Sequence, residues 1–196
     1  MAKSFVIDSD GGTGIITTSE AKTHLKVDTT ADDTLIGNLI AAAVQSAQIY
    51  TNRFFLTTQI IQYGDKWEDI KVLFKSKVIS VVSVKYYDND NSLQTLSTDV
   101  WLADTKHQPA RIGLKPDKDF PQLAHRINAV EVTYKVGYGD TAADVPQGIK
   151  QAVLLTIGNW YQNREEVVVG RIATELPKSA QYLLDQYKVQ TIAIWQ

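Results

Sequence analysis

The chain has 196 residues, of which 44% are hydrophobic and 21% charged, with a formal net charge of -2 and no cysteine. That size and composition suit one globular domain, or one domain carrying a subdomain, and exclude a disordered chain. They also exclude disulfides, thiolate catalysis and cysteine-based zinc sites, and they provide no overall positive charge to attract phosphate.

Residues 1–14 read as a flexible N-terminal arm, with room for a short strand at Phe5, Val6 and Ile7. Asp10-Gly11-Gly12-Thr13-Gly14 then breaks regular structure. This cluster lacks the Gly-Lys-Ser/Thr ending of a P-loop and the spacing of the dinucleotide fingerprint, so it reads as a hinge. Thr17 and Glu20 fit a capping box, which predicts a short helix through Ala21, His24 and Leu25. Asp32 and Asp33 open a second helix that runs to about Asn52, with carboxylates opposing the positive end of its dipole. Leu35, Ile36, Leu39, Ile40, Ala43, Val44 and Ala47 form its apolar stripe. Gly37, Ala41, Ala42 and Ser46 keep the same helix slim enough for another to approach closely.

From Thr57 the period changes to two, and strands are expected at 58–63, 71–75, 78–87, 99–104, 110–114 and 129–137. Asp88-Asn89-Asp90-Asn91 reads as a turn and 115–121 as a loop. Pro146 opens a long helix to about 163 in which Ile149, Ala152, Val153, Ile157, Trp160 and Tyr161 recur at helical spacing. Leu154 and Leu155 widen its apolar surface beyond one face, so partners on several sides are expected, neighbouring subunits among them. Residues 167–172 read as loop or extended chain. Pro177 starts a last short helix through Tyr182, Leu183, Leu184 and Tyr187. The tail, 189–196, is apolar and lies at a chain end, where it either folds back on its own core or binds a partner. No apolar run approaches the roughly 20 residues of a membrane helix. The N-terminus lacks a signal peptide's apolar core, so a soluble protein made in the cytoplasm is expected.

Chemistry is scarce along this chain. His24, His107 and His125 have no metal-ligand spacing. Asp88, Asp90 and Asp99 do not make a calcium loop, because Leu93 stands at the position that needs glycine. No Gly-x-Ser-x-Gly elbow exists. Glu165 and Glu166 are adjacent, so on a helix they diverge and cannot act as a paired acid and base. Lys66-Trp67 and Lys85-Tyr86-Tyr87 mix basic and aromatic residues. Asp65, Glu68, Asp69 and Asp88 are interleaved with them, which suits half-exposed strands better than a base-stacking groove. No catalytic, cofactor or metal residue is therefore assigned.

Two segments carry a resemblance. The first is Glu20-Ala21-Lys22-Thr23-His24-Leu25-Lys26-Val27-Asp28 with Asp32-Asp33-Thr34-Leu35-Ile36, Leu39-Ile40-Ala41-Ala42-Ala43 and Tyr50-Thr51-Asn52-Arg53. The second is Gly137-Tyr138-Gly139-Asp140, Val145-Pro146, Ile149-Lys150-Gln151-Ala152, Trp160-Tyr161-Gln162-Asn163-Arg164-Glu165, Leu176-Pro177-Lys178-Ser179-Ala180 and Leu183-Leu184. Together they resemble the head–tail connector (head-completion, or adaptor) proteins of long-tailed bacteriophages and prophages, in the longer form with a β insertion.

The resemblance and the residue pattern together predict an α+β fold, a helical bundle with an inserted antiparallel β subdomain. The expected organisation is an arm at 1–14, a helical connector domain of 15–56 plus 140–188, the β subdomain at 57–139 and a tail at 189–196. The resemblance implies a non-enzymatic virion protein at the head–tail junction. It would form a ring, commonly a dodecamer, that completes the head and extends the DNA channel. Its implied partners are the portal protein, a tail-side neck or tail-terminator protein and further copies of itself. DNA would slide through without specific binding, which suits the absence of strong positive charge. By position in the family, the tail would reach the portal through Ile192, Ile194 and Trp195. Leu154, Leu155, Trp160 and Tyr161 are the candidate subunit interface. The alternatives are another neck or tail-terminator ring, a DNA-binding accessory factor and a hydrolase.

Overall fold

The computed structural model describes residues 4–75, 77–163 and 176–189. The fold is α+β, and the chain divides into two compact units, residues 1–11 with 57–138 and residues 12–56 with 139–196. The chain first passes from one unit to the other within the glycine cluster, where Gly12 has φ +80.

The helical unit contains α1 (Thr18–Leu25), α2 (Asp33–Thr51), α4 (Gln147–Gln162) and α5 (Lys178–Asp185). Its ends are set by local chemistry. The Glu20 amide donates to Thr17 Oγ1 (3.1 Å), and the Thr17 amide donates to Glu20 Oε2 (2.7 Å), which is the expected capping box. Asn52 ends α2 in the left-handed region (φ 54), which asparagine tolerates better than most residues. Pro146 and Pro177 stand one position ahead of α4 and α5, where a missing N–H costs nothing. α4 packs against α1, α2 and α5, and buries Ile149, Ala152, Val153, Thr156 and Ile157. α2 buries Ile36, Ile40, Ala43, Val44 and Ala47. Gly148 admits the α5 end, because a Cβ there would lie 2.8 Å from the Tyr187 hydroxyl. The Val189 amide donates to Thr51 O (2.9 Å), so the chain after α5 returns to the end of α2.

The β unit holds β1 (Ser4–Ser9), β2 (Thr58–Gly64), β3 (Val72–Leu73), β4 (Val78–Tyr87), β5 (Leu93–Thr95), β6 (Trp101–Asp104), β7 (Ala110–Leu114) and β8 (Val130–Val136), with the short helix α3 (Trp67–Ile70). One sheet has the order β1-β2-β8-β4-β5 and the other β3-β7-β6, and all pairings are antiparallel. On β8, Val130, Val132, Tyr134 and Val136 are fully buried, opposite Gly64, Gln62, Ile60 and Thr58 of β2. Gln62 is the one polar residue in the middle of that face. Its amide nitrogen donates to the carbonyls of Asp69 (3.3 Å) and Val72 (3.1 Å). Its oxygen accepts from the Phe74 amide (3.4 Å) and the Tyr134 hydroxyl (3.0 Å). Burial pushes the Tyr134 phenol well above its ordinary range, so it stays protonated and donates.

Several expectations need correcting. The short strand for which Phe5, Val6 and Ile7 left room does form, so residues 4–9 are not an arm. Ser4–Ser9 is an edge strand whose Phe5 and Ile7 lie opposite Gln62 and Ile60, with Phe5 edge-on to Phe74 at 5.9 Å. Lys66-Trp67 is not strand. Trp67 begins α3, is nearly buried, stacks on Phe120 (4.4 Å) and donates to Pro121 O (2.8 Å). The strands expected at 71–75 and 99–104 shorten to Val72–Leu73 and Trp101–Asp104, and β5 was not anticipated. Residues 167–172 and the tail beyond Val189 lie outside the described residues.

Candidate functional site

Two carboxylates of the helical unit, Glu20 and Asp144, are committed to capping. A shallow open cleft of about 380 Å³ lies between α1 and α4, and Glu20, His24, Gln147, Lys150 and Leu154 are among its lining residues. Glu20 already caps α1, and the Thr17 amide beside it holds its carboxyl below the ordinary carboxylate range. Asp144 does the same for the turn Ala142–Asp144, accepting from the Thr141 amide (2.9 Å) and hydroxyl (2.8 Å). His24 is on α1, and His107 sits in the β6–β7 loop, its Nδ1 3.2 Å from Pro109 O. His125 precedes β8. Among the described residues, no group of three or more His, Cys, Asp or Glu is placed to hold a metal ion. Among the same residues no helix is long and apolar enough to cross a membrane.

The four candidate interface residues of α4 are all half-buried, and they do not form one patch. At about 100° per residue, Leu154 and Tyr161 share a flank of the helix, while Leu155 and Trp160 point elsewhere. The Tyr161 hydroxyl donates to Asp32 Oδ2, at the start of α2. Trp160 continues the arc that buries Ile149, Val153 and Ile157. Leu155 stands among exposed Gln151, Asn159 and Gln162 and is the outward apolar residue of the four. Ile192, Ile194 and Trp195 lie outside the described residues.

Reading the sequence missed a second set of apolar surface residues, on the rims of the five-stranded sheet. Val6 (52% exposed) and Ile7 (44%) lie on β1, and Ile79 (41%) and Val82 (49%) on β4. The available signal was the run Val78-Ile79-Ser80-Val81-Val82-Ser83-Val84, whose period is three where a flat strand has two. Register shifts at Ile79 and Val82 account for it: Val78, Val81 and Val84 face inward opposite Val136, Tyr134 and Val132, and the two extra residues are extruded.

Comparison with known proteins supplies the context. No curated protein sequence gives a significant match. Three similar solved chains come from gene transfer agent (GTA) particles, each alignment covering 98% of both chains. They are from the virion of a native particle (17% identity, TM-score 0.73) and the neck of an empty particle computed with C6 symmetry (16%, 0.72). The third is from the neck of a native particle computed with C12 symmetry (18%, 0.67). At such identities they establish a shared fold. The profile of the family described as Phage gp6-like head-tail connector protein matches residues 15–112 and 102–188. With nearly all of both units matched, the chain belongs to the Phage gp6-like head-tail connector protein family, structural proteins of the head–tail junction of the virion.

Proposed function

We propose that this chain is a non-enzymatic ring subunit, dodecameric in the virion, that completes the head and extends the DNA channel between portal and tail. The family match over residues 15–188 carries the reading. The necks of gene transfer agent particles, computed with C6 and C12 symmetry, supply the ring as precedent. In this reading the partners are the portal, a tail-side neck or tail-terminator protein and further copies of the chain. DNA passes without specific binding, in keeping with a net charge of -2.

Leu155 contributes to the contact between subunits, with Leu154, Trp160 and Tyr161 as further candidates on the other flanks of α4. The tail reaches the portal through Ile192, Ile194 and Trp195, whose burial there would recover about 1.5–3 kcal/mol for each large side chain. The Val189 bond to Thr51 O fixes where that tail leaves the helical unit. Domain roles follow: 15–56 with 140–188 is the connector body, 57–139 the β insertion.

Particles assembled without this chain test the reading. DNA-packed heads that lack tails and leak their DNA are expected. Tailed particles at normal yield would overturn it. Deleting 189–196 should leave a folded subunit that no longer attaches to portal-bearing heads; attachment at normal occupancy would refute the portal assignment.

A further inference from the structure

Within the ring reading, on which this inference rests, we infer that neighbouring subunits join edge to edge through the five-stranded sheet, β4 of one copy lying antiparallel to β1 of the next. The topology allows it. Strand direction alternates along β1-β2-β8-β4, so a further copy added in the same orientation presents its β1 antiparallel to β4. Such a contact uses a different surface on each partner, which is the heterologous interface a closed ring requires.

The two edges match in length. β5 pairs with β4 only at Lys85, Tyr86 and Tyr87, and the Leu96 amide donates to Val84 O. Residues 78–83 have no further strand beside them among the described residues. β1 is six residues long, and so is that uncovered stretch. Both carry exposed apolar side chains, Val6 and Ile7 on one, Ile79 and Val82 on the other. An exposed apolar strand edge is a template for another chain, and main-chain pairing would satisfy it.

Charge and irregularity match as well. Antiparallel pairing sets the C-terminal end of β1, with exposed Asp8, beside the N-terminal end of β4, with exposed Lys77. Bulges discourage indiscriminate pairing of an edge. β4 carries two, and β1 carries an irregularity of its own between Ile7 and Ser9, so neither edge is a flat template for any passing strand.

The chain has no cysteine, so engineered disulfides report this contact alone. Two double variants of the full chain, Val6→Cys with Ile79→Cys and Val6→Cys with Val82→Cys, bracket the possible registers. A third, Val6→Cys with Leu102→Cys, places the second cysteine on an exposed site of the other sheet. Each is assembled into particles, oxidised and run under non-reducing conditions, with the chain's presence in the neck read separately by cryo-electron microscopy. A disulfide needs Cα atoms about 4.4–6.8 Å apart, which only adjacent strands supply here. The expected result is a ladder of covalent multimers for at least one bracketing pair and monomer for the third. Rings at normal occupancy with no ladder from either pair, or an equal ladder from the third, would overturn the edge contact and leave the ring standing. Particles whose necks lack this chain would overturn the ring reading, and the edge contact with it.

Discussion

The two units are stabilised by different means. In the helical unit, several helix ends are set by residues a few positions away: Thr17 with Glu20, Asn52 after α2, Pro146 and Pro177 ahead of α4 and α5. Its buried α2 and α4 residues are aliphatic or small, apart from two threonines that bond back within their own helices. In the β unit, one buried side chain, Gln62, joins β2, β3, β8 and the end of α3 through four hydrogen bonds. Losing a local cap costs one bond. Losing Gln62 strands several buried groups together.

Substitutions should rank accordingly. Gln62→Leu keeps the volume but leaves the Asp69 and Val72 carbonyls, the Phe74 amide and the Tyr134 hydroxyl short of a partner, at a cost of about 4 kcal/mol. The midpoint of urea unfolding reads it. Ile157→Ala in α4 opens a cavity and should cost about 3 kcal/mol; if it clearly exceeds Gln62→Leu, the contrast between the units fails. Tyr134→Phe removes the donor to Gln62 and the acceptor of the Lys75 amide, and should cost about 2 kcal/mol, because Gln62 keeps three of its bonds. Thr17→Ala removes one cap acceptor and should cost about 1 kcal/mol.

Glu20 sharpens the last case through pH. Its folded pKa is depressed, chiefly by the bond from the Thr17 amide, so its contribution is complete above the ordinary carboxylate pKa and is lost as pH falls through the folded value. The stability difference between the wild type and Glu20→Gln should therefore be present at neutral pH and vanish in acid. A difference unchanged at pH about 3 would mean that the charge contributes nothing. Leu155→Lys, which keeps a good helix former at a half-buried position, should have the smallest effect on folding, within about 0.5–1 kcal/mol, yet reduce incorporation into particles. Normal incorporation would remove Leu155 from the interface.

The same contrast explains what was legible in the sequence. The capping box, the second helix and the long helix after Pro146 could be read because their signals lie within one or two turns. The short strand at Phe5, Val6 and Ile7 was within reach too, but not its place at the sheet edge, because its partner β2 lies more than fifty residues on, with Ser4 opposite Tyr63. α3 has four residues, too few for a helical period, so the buried Trp67 passed as half-exposed strand. β4 was found, but its two bulges alter which side chains face out, and no local rule places a bulge. The candidate residues on α4 came as the adjacent pairs Leu154-Leu155 and Trp160-Tyr161. Adjacent residues on a helix point about 100° apart, so apolar character alone could not make them one surface.

The most direct measurement is a cryo-electron microscopy map of the head–tail junction in particles containing this chain. The account predicts a closed ring of copies, each with the fold described here, lying between portal and tail around an open channel. A junction in which that level is filled by another fold, with this chain absent or outside the channel wall, would contradict it.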